Sequence, residues 1–142
     1  MKNIFLLILI LLASSFAKAE KLQSLAEHMR SIESQMVEIQ GFVGEYPDYP
    51  LASVATRSLR GHLVLSVSLV PAKLMEVGVV ERNFGLIEFH QLMARIIYLA
   101  GTLESALSDP NYESESISRE NDVQNILREI SKLMTVAHDK FR

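Results

Sequence analysis

The chain has 142 residues, no cysteine, no tryptophan and a formal net charge of −3, a length that supports one domain with a real core. The missing thiols exclude disulfides, cysteine nucleophiles and thiolate metal sites. The acidic balance argues against nucleic acid or an anionic lipid surface as the partner.

Met1-Lys2-Asn3 precedes an unbroken apolar run from Ile4 to Ala13, and Ala17 and Ala19 stand at the −3 and −1 positions of a small-residue cleavage site. A basic start, a short apolar core and Ala-x-Ala predict a secretory signal peptide over 1–19. The run is shorter than the about 20 residues that a membrane span needs. The chain is therefore expected to be exported, with cleavage before Glu20 and no stable membrane association afterwards. The expected domain is 20–142, and loss of Lys2 and Lys18 takes its formal charge to −5. Without disulfides, such an exported domain relies on packing or on a bound ligand for stability.

From Leu22, apolar residues recur at Leu25, Met29, Ile32, Met36, Ile39 and Val43. Alternating steps of three and four are the seam of an amphipathic helix, which Gly41, Gly44 and Pro47 end. A second helix is predicted from Pro50, a good first-turn residue, to Val70, with Pro71 as its stop. The third carries Leu86, Phe89, Met93, Ile96, Ala100, Leu103 and Leu107 and ends at Ser108-Asp109-Pro110. The fourth is expected to begin with Ser118 as N-cap and Glu120 and Asp122 in its first turn. It turns Val123, Leu127, Ile130, Met134 and Ala137 inward. Four such helices and no strand pattern predict an all-α fold, an antiparallel up-down-up-down four-helix bundle.

Most catalytic constellations lack their parts. There is no Glu-x-x-His pair, no His-Glu-x-x-His, no Gly-rich phosphate loop and no nucleophile elbow. Four histidines and six methionines remain. His28 lies about 100° round the helix from Met29 and is expected to face water. His62 and His90, near stripe edges, read as packed or half-exposed histidines. Met29 alone reads as core filler, and His138 alone as a favourable charge at a helix C-terminus. In the predicted topology, however, the start of the first helix and the end of the fourth share one end of the bundle. Met29 and His138 can then both point into that end, and thioether plus imidazole is an axial pair that haem iron accepts.

The stretch Leu25–Met36, "LAEHMRSIESQM", resembles the first helix of the cytochrome b562 family of small periplasmic b-type cytochromes. Its Leu-x-x-x-Met-x-x-Leu-x-x-x-Leu pattern is matched by Leu25, Met29, Ile32 and Met36. The ending "AHDKFR" is similar to the family's His-x-Lys-aromatic-Arg terminus, through His138, Lys140, Phe141 and Arg142. "LRG" at Leu59–Gly61 and "PAKL" at Pro71–Leu74 keep the family's mutual spacing, and "GTLESAL" at Gly101–Leu107 is similar to its third helix.

The resemblance implies one haem b per chain, with Met29 and His138 as iron ligands, and electron transfer between redox partner proteins rather than enzymatic turnover. Ile32, Leu59, Leu92 and Ile96 are the expected dry pocket, and Arg142 the expected propionate partner. The chain departs from the family where Leu92 and Ile96 replace two phenylalanines, Met134 an arginine and Ala137 a tyrosine. Met134 and Ala137 also occupy the two cysteine positions of the related cytochromes c′, so haem would be held non-covalently. The alternative is a haemless exported bundle acting as an interaction or adaptor protein.

Overall fold

A computed structural model describes residues 24–111 and 116–141, and the side chains of all of these except 116–118. The expected signal peptide lies outside the described residues. The elements are α1 (Leu25–Phe42), α2 (Tyr49–Val67), α3 (Ala72–Met75), α4 (Val79–Ser108) and α5 (Ser116–Phe141). The described residues contain no strand, and no described helix is long and apolar enough to cross a membrane.

Local chemistry sets the ends. Ser24 Oγ accepts from the Glu27 N–H while Glu27 Oε2 accepts from the Ser24 N–H, a capping box that starts α1. Asp48 Oδ1 accepts from the Leu51 N–H at 3.0 Å and Pro50 stands in the first turn of α2, where its missing N–H costs nothing. Two starts differ from expectation. α4 begins at Val79, two turns before Leu86, because Gly78 supplies an extended cap upstream of the stripe. Ser118 lies inside α5, which begins at Ser116, so it is not an N-cap. The short α3 was not legible in its four residues, which carry no period.

The four long helices pack against each other, α1 on α2, α2 on α4 and α4 on α5, while backbone packing between α1 and α5 is slight. The predicted seams are the buried faces. Ile32, Ile39, Leu59, Leu63, Met93, Ile96, Leu103 and Ile130 are the largest apolar side chains fully removed from water. Polar pairs join the same neighbours: Ser53 with Ser108, Arg57 and Arg60 with Glu104, Arg95 with Glu129, and Lys140 with Glu88.

α3 fits because position 85 has no side chain. A Cβ on Gly85 would fall 2.5 Å from Leu74 Cδ2, and Leu74 is itself buried. Arg82 then donates to the Leu74, Met75 and Val77 carbonyls at 2.9–3.3 Å, satisfying the acceptors that the end of α3 leaves open. This small unit lays Pro71–Leu74 over α4 and places Ala72 at the edge of the cleft described next.

Candidate functional site: the cleft between α1 and α5

The slight packing of α1 on α5 leaves space at one end of the molecule. At the other end Gln124 Nε2 donates to the Val43 carbonyl at 3.4 Å and ties the two helices together. The open end holds two adjoining cavities of about 180 and 430 Å³, and both are lined by Met29, Glu33 and His138. The larger falls within the roughly 300–1,000 Å³ typical of small-molecule sites. Met29 sits in the second turn of α1 and His138 one turn before the end of α5. Both are half-buried, with room on one side.

The floor is aromatic. Phe89 of α4 and Phe141 of α5 are buried and meet edge to face, with ring centroids 5.4 Å apart at 75°. Leu25, Ala26 and Ala137 complete the apolar wall, and Arg30 and Glu33 stand at the mouth. The larger cavity adds Met36 and Met134. Thioether and imidazole donors thus approach one apolar space from two helices, with a guanidinium at its rim. The larger cavity is also lined by the polar Glu33, Ser131, Thr135 and Asp139. Among the described residues no group of three or more His, Asp or Glu side chains forms a metal cage.

The sequence-predicted residues divide. Met29 and His138 come together. Ile32, Leu59 and Ile96 are fully buried in the packed core, and Leu92 is half-buried against it; none of the four lines either cavity. Arg142 lies outside the described residues. Arg30 carries no expectation from the sequence, while Phe89, expected on a core stripe, and Phe141, expected only as the aromatic of the terminus, also line the cleft. Glu33 lies four positions after Met29, where helical spacing puts it beside that residue, and Arg30, one position on and about 100° round the helix, lines the same cleft. Ala137 lines the cleft where the family has tyrosine, and Phe89 and Phe141 supply the aromatic surface instead.

His28 departs from expectation most clearly. It does not face water: its exposure is 6%, and its Nδ1 lies 3.1 Å from Nδ1 of His62, with the rings 5.4 Å apart and tilted by 54°. One imidazole donates and the other accepts. The physical reason is that α1 packs most closely on α2. Its seam faces the core, and α2 covers the adjacent flank on which His28 stands. His62 is half-exposed and His90 exposed.

No family model, curated protein or solved structure matches this chain.

Proposed function

We propose that this protein is a periplasmic electron carrier that holds one non-covalent haem b between Met29 and His138, in a bundle with up-down-up-down topology like that of the cytochrome b562 family. One observation carries the reading. Met29 and His138, more than a hundred residues apart in the chain, line the same two cavities. The antiparallel topology is supported by its cross-helix pairs. Ser53 near the start of α2 meets Ser108 at the end of α4, Glu88 early in α4 meets Lys140 late in α5, and His28 early in α1 meets His62 late in α2.

Haem bound there would supply a one-electron couple. The chain's own residues would bind and orient it: Met29 from α1 and His138 from α5 would both ligate its iron, which would leave no open position for oxygen or peroxide and argues against an enzyme. Phe89, Phe141 and Leu25 exclude water from the ring. Arg30 offers a propionate partner at the mouth, with Arg142 retained from the sequence resemblance. A thioether ligand raises the potential.

Met36 and Met134 favour one further reading. With Met29 they place three of the chain's six methionines, together with His138, around the larger cavity. Three thioethers and an imidazole make a soft donor set suited to cuprous copper. A titration of the haem-free chain separates the readings. The haem reading expects saturation at one equivalent, a six-coordinate low-spin spectrum, and a melting temperature that rises with haem concentration. Unchanged melting in excess haem, with saturable binding of cuprous ion instead, would transfer the cleft to copper. Indifference to both would leave the adaptor reading.

A further inference from the structure

The outer face of α4 carries a second apolar stripe, opposite the one that builds the core. Val80, Phe84, Ile87 and Tyr98 are 68%, 67%, 53% and 72% exposed, and Gln91 and Ala94 between them are exposed as well. The positions 80, 84, 87, 91, 94 and 98 step by four and three, the spacing of a coiled-coil seam, over about 27 Å of helix. Leu86, Phe89, Met93 and Ile96 lie on the far side of the same helix, against the core. A helix apolar on two opposite faces expects a partner on both.

We propose that this face pairs with the same face of a second copy of the chain, α4 against α4 in antiparallel orientation, about a two-fold axis level with Phe89. The pattern is self-complementary under that operation. Position 84 falls opposite 94, 80 opposite 98, and 87 opposite 91. The large Phe84 therefore meets the small Ala94, Val80 packs along Tyr98, and Ile87 lies on the aliphatic part of Gln91. Each contact occurs twice, as a two-fold interface requires. A pairing of large with small about one centre serves a copy of the chain and gives no advantage toward an unrelated helix.

The flanking charges agree. Glu81, Glu88 and Arg95 border the stripe on one side. In the antiparallel pair Arg95 of the second copy lies two residues from the level of Glu81, on the same flank, and is shared there with Glu129 of its own chain. Glu88 falls level with His90 of the second copy and two residues from its own equivalent, and each Glu88 is already compensated by Lys140 of its own chain at 2.8 Å. Parallel pairing would set Phe84 against Phe84, Ala94 against Ala94 and Arg95 against Arg95. None of the stripe residues lines either cavity, so dimerisation stands independently of what fills the cleft.

The natural chain has no cysteine, so introduced thiols report on this contact alone. Phe84→Cys and Ala94→Cys, prepared separately, should form a disulfide-linked dimer on mild oxidation when mixed, and far less when each is alone. Sedimentation of the full chain at tens of micromolar should give twice the chain mass. Phe84→Glu, at an exposed site that leaves helical circular dichroism intact, should raise the dimer dissociation constant at least about tenfold. Self-linking of Ala94→Cys alone would show a parallel pair and overturn the proposal. A monomer at every concentration, or a dimer indifferent to Phe84→Glu, would overturn it too.

Discussion

Replacing His138 with alanine is expected to abolish stoichiometric haem binding in both oxidation states, while Met29→Ala keeps haem but loses the low-spin spectrum. The asymmetry follows from ligand chemistry. Imidazole binds ferric and ferrous iron alike, whereas a thioether prefers the softer ferrous state. Loss of His138 should exceed the roughly 10–100-fold penalty seen when only an outer-shell partner of a metal ligand is removed. Met29→Ala should open one coordination position and lower the potential, because the ligand that raises it is gone. Met134→Leu, on the larger cavity only, should leave the haem spectrum six-coordinate. Optical titration and potentiometry of the three variants check this. If Met134→Leu abolishes the low-spin spectrum while Met29→Ala keeps it, the thioether comes from α5 and the pairing across the cleft is wrong.

The second large effect is on stability. Ile32 has no exposed surface and sits where α1 meets the core, so Ile32→Ala should cost about 2–5 kcal/mol through lost burial and the cavity left behind. Leu59→Ala, equally buried on α2, should cost a similar amount. Against a total of roughly 5–15 kcal/mol for a domain, either loss is severe, and urea unfolding reads it directly. Both residues lie in the core and not on the cavities, so the folded fraction of each variant should bind haem with the parent spectrum. An unchanged urea midpoint together with a shifted haem spectrum would put Ile32 or Leu59 on the cleft wall, as the sequence reading expected.

The all-helical fold was legible because the α1 and α4 stripes repeat by three and four without interruption, and burial then selects one face of each helix. The ends were less legible. Val79 starts α4 two turns early through an extended Gly78, and α3 is too short to show a period. That Met29 and His138 meet at one cleft was legible as well, because Met29 lies on a seam and His138 at its edge. The pocket walls were not. Ile32 and Leu59 read as wall residues, but a seam position pointing straight inward is consumed by the core. The cleft instead takes residues just off the seam, Arg30 and Glu33 on α1 and Phe141 at the end of α5. His28 was misread for a related reason: a stripe marks the side that faces the core, and α2 also covers the flank beside it. The outer stripe of α4 was legible in principle, since Val80, Phe84 and Ile87 keep helical spacing, but the stronger inner stripe masked it.

Proton NMR of the reduced, haem-loaded chain with methyl-labelled methionine reads whether the sulfur of Met29 and the imidazole of His138 share one iron. A methionine methyl bonded through its sulfur to diamagnetic haem iron lies over the ring and is shifted far upfield of every other methyl. The account predicts one such resonance, absent from Met29→Ala and unchanged in Met36→Leu and Met134→Leu. An upfield methyl that survives Met29→Ala, or a fully loaded spectrum with no displaced methyl, would contradict it.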